Sequence, residues 1–252
     1  MNQEIIILIQ TMIKQYGFES LIAEFCDGIE IIESNDFYES IMKLVETENL
    51  SAKITQCKKQ FENIDATIVM PQKINRKAYI LLKYDLDLES IFRKLIHECI
   101  HLVHRCIITK YMRLEDLYEI EEDSNYMLLY YLDEFLTKKK EIIIYYDWLH
   151  KNKKIVDDDV YMNTMAKKFM LAKEASKNNL DFMRRVLFAI AETMAYISIF
   201  PDIFPEHFIE EHADIANIGC IIDILKSFES INVFIDNISE LEIVMELIEI
   251  NY

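Results

Sequence analysis

Glycine and proline are scarce in this chain, which holds three of each among 252 residues. Both residue types interrupt helices, so their scarcity predicts long helices joined by few tight turns. Between Asp85 and Phe200 neither occurs, and apolar residues recur there at helical spacing with charged residues between them. The sequence therefore predicts a mainly α fold, and its composition excludes a collagen-like or disordered chain.

Positive charge is also in short supply, because 27 Lys and Arg face 44 Asp and Glu and leave a net charge of −17. This charge repels phosphate backbones and anionic lipid head groups, and no basic stripe counters it. The apolar run at residues 5–9 is far too short to span a bilayer. We therefore expect neither nucleic acid nor a membrane among the partners.

The five cysteines form no CxxC pair, are odd in number and are widely scattered, which is typical of reduced thiols rather than of a disulfide framework. The N-terminus lacks the positively charged segment and the small-residue cleavage site of a signal peptide. These features predict a soluble protein of the cytoplasm. They carry no information on its oligomeric state.

The convincing β signal lies in two runs of strand-forming residues, 66–70 and 78–84, which the connection at 71–77 separates as in a hairpin. A third and weaker strand candidate is 52–57. Helices are predicted over residues 3–16, 36–48, from Asp85 or Asp87 through Cys106, 124–150, 157–177, 179–200, and after Pro201 with a break near 230–237.

This order of elements predicts an α+β protein that is mainly α. A small antiparallel sheet or hairpin is expected to pack on the helix that follows it, and a helical bundle comes next. We place a soft boundary near residue 155, so that residues 1–155 form a core with N-terminal helices and residues 156–252 form a helical extension. One continuous domain is the alternative.

His97-Glu98-Cys99-Ile100-His101 is an HExxH sequence inside a segment whose periodicity already predicts a helix. On a helix, residues four apart lie on the same face, so the imidazoles of His97 and His101 can bind one tetrahedral Zn²⁺ at about 2.0–2.1 Å. Glu98 can then act as the general base that takes a proton from the attacking water. The motif predicts a hydrolytic zinc centre with one ion per chain.

A catalytic zinc site needs a third protein ligand while a fourth position stays open. We favour Glu134, which lies on the next predicted helix after His101. Asp133 points about 100° away around that helix and is expected to orient a histidine N–H group instead. Glu192 is the rival, because an apolar helical segment would bury its carboxylate and a buried acid needs a partner. A structural partner, such as an arginine or a tyrosine hydroxyl, is the more natural interpretation for Glu192.

Other residues near the motif have candidate supporting roles. Tyr130 and Tyr131 lie about one helical turn before the favoured glutamate and could donate a hydroxyl to a tetrahedral oxyanion, although tyrosines at such spacing are usually packing residues. His104 lies about 10 Å along the helix from the first motif histidine, so we expect a supporting or surface role rather than a ligand. His207 and His212 have no recognisable ligand spacing.

The order strand, turn, strand, HExxH helix and glutamate-bearing helix resembles the minimal core of gluzincin-type zinc metallopeptidases. Among these it is most similar to the small bacterial and phage proteins of the ImmA/IrrE kind. The resemblance covers roughly residues 50 to 150. It implies a zinc ion held by His97, His101 and Glu134, with Glu98 as the catalytic base. It also implies selective cleavage of a partner protein in the cytoplasm, in that family often a repressor.

The sequence departs from that family in three respects. The usual glycine after the motif glutamate is Cys99 here, no helix-turn-helix reader is recognisable, and the helical C-terminal half has no counterpart. These departures bear on the substrate and its regulation more than on the metal chemistry.

A second hypothesis belongs to a different class: an acidic helical interaction protein that is not catalytic, with a structural or vestigial metal site. Aromatic residues of the C-terminal half could form a partner interface, although at helical spacing they more often belong to a core. These residues are Phe182, Phe188, Tyr196 and Phe200.

Overall fold

The computed structural model describes residues 3–48, 64–71, 76–115, 125–151, 158–205, 207–228 and 237–251. The described chain is mainly helical and contains one small three-stranded sheet, which confirms the predicted mainly α, α+β class. It divides into two compact units, Met1–Asp123 and Ser124–Tyr252. None of the described helices is long and apolar enough to cross a membrane.

The first unit combines helices with the sheet. Its elements are α1 (Gln3–Gln15), α2 (Glu19–Phe25), β1 (Cys26–Glu33), α3 (Phe37–Glu48), β2 (Ala66–Val69), β3 (Arg76–Leu82) and α4 (Leu88–Met112). The predicted hairpin is confirmed, since β2 and β3 pair antiparallel, with Ala66 opposite Leu82 and Val69 opposite Tyr79. The weaker strand candidate at 52–57 lies outside the described residues.

Strand β1 is a feature that the sequence reasoning missed. It pairs parallel with β3 and places β3 in the centre of the order β1-β3-β2. Its signal is weak because the segment CDGIEIIE mixes acidic and apolar residues, and its side chains are mostly exposed or half-buried. The chain crosses from β1 towards β2 through α3, as a parallel arrangement requires a crossover connection.

The central strand β3 separates two apolar layers. Ala78 belongs to a cluster with Leu102 and Val103 of α4, whereas Tyr79 and Leu81 belong to a cluster with α3. Alternate side chains of a strand point to opposite faces, so α4 covers one face of the sheet and α3 the other. Burial on both faces explains why the sequence of β3 is continuously apolar from Ala78 to Leu82.

Helix α4 begins and ends with clear capping. The Asp87 carboxylate accepts a hydrogen bond from the Ser90 backbone N–H at 3.0 Å, which confirms Asp87 over Asp85 as the N-terminal cap. Arg113 ends the helix in the left-handed region with φ +56°, and its N–H bonds to carbonyl oxygens of the last turn. The HExxH sequence therefore lies in the middle of a 25-residue helix that is fixed at both ends.

The second unit is helical in its described residues. It consists of α5 (Tyr126–Lys151), α6 (Asp158–Glu174), α7 (Asn179–Ile199), α8 (Phe208–His212), α9 (Ile218–Ser227) and α10 (Ile238–Glu249). Helix α7 packs against α5, α6 and α10 and is almost entirely buried over residues 186–196. Phe182 and Tyr196 belong to this core, as helical spacing predicts, while Phe188 and Phe200 are half-buried.

Buried charges join three helices of the second unit. The Glu192 carboxylate of α7, only 8% exposed, lies 3.4 Å from Lys138 Nζ of α5 and also pairs with Lys168 of α6. Lys138 in turn pairs with buried Glu141 at 3.1 Å. Glu192 therefore has a structural partner, as the sequence favoured, although the partners are lysines. The compensating charges let these carboxylates remain in a core.

Replacing Glu192 by Gln keeps the side-chain shape but removes the charge that faces Lys138 and Lys168. We expect the free energy of unfolding to fall by about 2–3 kcal/mol, less than for a fully buried pair because the Lys168 side chain remains 42% exposed. Chemical denaturation measures the change. Glu174→Gln, at an exposed site on α6, is the matched control and should change stability by about 0.5 kcal/mol or less. Equal losses in the two variants would contradict the role of the buried charges.

Candidate metal centre

The two motif histidines face each other across one turn of α4. Their Nε2 atoms are 3.0 Å apart, and the rings meet nearly at right angles with centroids 4.6 Å apart. Two ligands of a tetrahedral zinc ion, each at about 2.0–2.1 Å, would lie roughly 3.3 Å from one another. His97 and His101 therefore already have nearly the separation that a shared ion requires.

Burial distinguishes the residues of the motif. His97 is half-buried, whereas His101 and Glu98 are 8% and 7% exposed. Leu95 and Ile96 before the motif and Leu102 after it are fully buried, so packing fixes the helix on both sides of the histidines. Side chains on such a rigid helix are held in place more firmly than on a loop.

Cys99, which directly follows the motif glutamate, is completely buried. Burial, and then the charge of neighbouring Glu98, raise the pKa of the Cys99 thiol to about 12. Thiolate is the form of cysteine that binds metals. Cys99 therefore stays a neutral thiol near pH 7 and does not compete with the imidazoles.

Glu134 lies in α5 and is 9% exposed. The Tyr130 hydroxyl, one helical turn earlier, donates a hydrogen bond to its carboxylate. Burial, followed by the Glu134 charge, raises the pKa of Tyr130, while Arg184 opposes the shift. Tyr130 consequently keeps its proton at alkaline pH and remains able to hold the carboxylate. The oxyanion role considered for Tyr130 and Tyr131 from the sequence stays a prediction.

The predicted ligands form a group that could hold a metal ion. His97, His101 and Glu134 each offer one ligand atom, and these atoms all lie within 4.8 Å of one another. Two imidazoles and a carboxylate suit zinc and also other first-row ions. The donor set therefore fits a catalytic type of site, in which three protein ligands leave a position for water or substrate.

The other residues named from the sequence have their own contacts. Asp133 accepts a hydrogen bond from Thr137 Oγ1 at 3.2 Å, and Tyr131 is buried against the Tyr130 ring. Burial raises the pKa of Tyr131, with the Arg184 charge acting in the opposite direction. His104 is half-buried on α4.

The two C-terminal histidines have structural contacts. His207 lies 3.1 Å from Glu211, and His212 stacks on Phe208 with ring centroids 4.1 Å apart. The His212 Nδ1 atom is also 2.9 Å from the Phe208 carbonyl oxygen. These contacts stabilise both ends of α8. The positions of both histidines are therefore explained without a metal ion.

We expect purified protein to carry about one first-row metal ion per chain and His101→Ala to lose it, because two protein ligands bind too weakly to survive dialysis. Elemental mass spectrometry after dialysis measures the occupancy. His104→Ala is the matched control on the same helix and should retain the ion. Loss of metal from both variants, or from neither, would contradict the assignment.

Tyr130→Phe removes the hydroxyl that holds Glu134 but leaves the ring. We expect the dissociation constant for zinc to rise about 10- to 100-fold, the usual effect of losing a hydrogen bond to a ligand. Competition with a fluorescent chelator measures it. Tyr131→Phe, the neighbouring buried tyrosine, should leave the constant nearly unchanged. An unchanged constant in Tyr130→Phe would show that the hydrogen bond does not support metal binding.

Comparisons with known proteins give no relative from which to transfer a role. No protein-family model, no curated protein and no solved structure matches this chain. The residues of the site and their HExxH sequence are therefore the basis for a functional hypothesis.

Proposed function

We propose that the protein is a zinc-dependent peptidase of the HExxH type, with a core like that of the ImmA/IrrE family. The observation that carries the proposal is the pair of imidazole Nε2 atoms 3.0 Å apart on one face of α4, with the buried carboxylate of Glu98 beside them in the sequence. His97, His101 and Glu134 would hold the ion, which is zinc in this proposal.

In the proposed reaction, the metal ion and the side chains have separate roles. Bound zinc would polarise the scissile carbonyl and make water acidic enough to be a nucleophile near neutral pH. Glu98 takes a proton from the attacking water and returns it to the amine that leaves, so the carboxylate is unchanged after each cycle. Tyr130 keeps a carboxylate oxygen of Glu134 in place through its hydrogen bond. His97 and His101 would contribute imidazole nitrogens from a helix that packing and capping hold in place.

The substrate class follows from the same comparison of motifs. We infer a peptide bond in a protein of the cytoplasm, since the ImmA/IrrE-like arrangement implies selective cleavage of a partner protein. The net charge of −17 favours a substrate segment without excess negative charge, because like charges repel at the encounter.

Glu98→Gln separates catalysis from metal binding. We expect it to keep its zinc while cleavage slows by about 10²–10⁴-fold, because the amide cannot take the proton. The assay incubates zinc-loaded protein with a library of proteome-derived peptides and identifies new peptide ends by mass spectrometry. Glu89→Gln, on the first turn of α4, is the matched control and should cleave normally.

The outcomes separate the two functional hypotheses. New peptide ends that also arise with Glu98→Gln would refute the mechanism. Zinc-loaded wild-type protein that cleaves neither the library nor unfolded protein chains would favour the non-catalytic interaction protein. Removal of zinc by a chelator should stop cleavage, and added zinc should restore it.

A further inference from the structure

Two cysteines outside the candidate metal centre lie against each other in the core of the first unit. Cys26 is the first residue of β1, and Cys106 lies in the C-terminal half of α4. Both belong to one apolar cluster with Ile22 and Phe25, and they are 4% and 0% exposed. The two thiols are close enough that each is the largest influence on the pKa of the other, and neither is in a disulfide.

The positions of the two thiols are set by regular structure. Cys26 is paired in the sheet with Arg76 of β3, and Cys106 is on a helix that packs against that sheet. A disulfide needs its two sulfur atoms about 2.0 Å apart, with β-carbons about 3.5–4.5 Å apart. Two thiols that interact within one packed cluster are better placed for this geometry than cysteines scattered over separate elements.

A cavity gives access to one member of the pair. Cys26 lines an apolar cavity of about 460 Å³ together with Ile9, Ile13 and Ile29. The ionisable side chains that line the cavity are the carboxylates of Glu19 and Glu30. A small neutral oxidant can enter such a cavity, whereas an anionic oxidant such as oxidised glutathione is repelled.

The thiols are unequal as nucleophiles. The hydrogen bond from Cys106 lowers the pKa of Cys26, against the opposing effect of burial. The same bond, followed by burial, raises the pKa of Cys106. Thiolate is the reactive form towards peroxides, so Cys26 is the residue that reacts first and Cys106 is the one that resolves the product.

We propose that Cys26 and Cys106 form a modification site at which hydrogen peroxide produces a reversible disulfide between β1 and α4. The Cys26 sulfur attacks one peroxide oxygen, the O–O bond breaks, and water leaves after protonation, which gives a sulfenic acid. The Cys106 sulfur then attacks the Cys26 sulfur, the S–O bond breaks, and a second water leaves with the Cys106 proton. Two thiols are oxidised, and one peroxide is reduced to two waters.

The test is peptide mapping of the peroxide-treated full-length protein. Remaining thiols are alkylated in denaturant, and trypsin then cuts after Arg105, so that Cys99 and Cys106 fall in different peptides. We expect a linked pair of peptides containing Cys26 and Cys106, about 2 Da lighter than the two reduced peptides together. Dithiothreitol should abolish the link.

Variants identify the resolving thiol. In Cys106→Ser, peroxide should oxidise Cys26 further to sulfinic or sulfonic acid, because no neighbouring thiol reacts with the sulfenic acid to form a disulfide. Cys220→Ser, which removes an exposed thiol in the second unit, should form the link as wild type does. Wild-type protein that keeps both thiols fully alkylatable, or that links Cys26 to another cysteine, would overturn the proposal. Because the decisive result comes from wild-type protein, it does not depend on the stability of a variant or on zinc.

Discussion

Burial of β3 on both of its faces is the constraint on which the first unit depends. Ala78, Ile80 and Leu81 are fully buried, and they turn alternately towards α4 and α3. Neither helix could bury its apolar stripe without the sheet, and a three-stranded sheet is not stable without cover. The position of the HExxH helix is therefore set by packing that has nothing to do with metal, and the histidines occupy a scaffold that is already rigid.

Acidic side chains reach the interior of the molecule as well as its surface, since Glu134, Glu141 and Glu192 are buried. The buried carboxylates have different hydrogen-bonding and ion-pair partners. Glu192 and Glu141 are neutralised by lysines, whereas Glu134 receives a tyrosine hydroxyl. The lysine charges account for the burial of Glu192 and Glu141 without a metal ion.

Much of this arrangement could be predicted, because it depends on residues close together in the sequence. The α4 cap at Asp87, the hairpin and the α7 cap at Asn178 all follow from local propensities. The face shared by His97 and His101 follows from helical geometry alone. These features need no knowledge of distant contacts.

The elements that escaped prediction depend on contacts between distant segments. Strand β1 becomes a strand by pairing with β3, about fifty residues away in the sequence, and the short helix α2 has no side-chain cap to reveal its start. The lysine partners of Glu192 come from two other helices, and the contact of Cys26 with Cys106 joins β1 to α4. Spacing rules within one segment carry no information on such pairs.

The irregular start of β1 has a consequence for behaviour at high concentration. The pairing register with β3 shifts between Cys26 and Ile29, and Gly28 lies between them with φ +104°. Since β1 is at the margin of the sheet among the described strands, its outer side could recruit a strand from another molecule. The register shift interrupts the straight row of hydrogen-bonding groups, and the exposed charge of Asp27 repels an identical strand. The same few residues that begin β1 therefore oppose edge-to-edge pairing of two β1 strands.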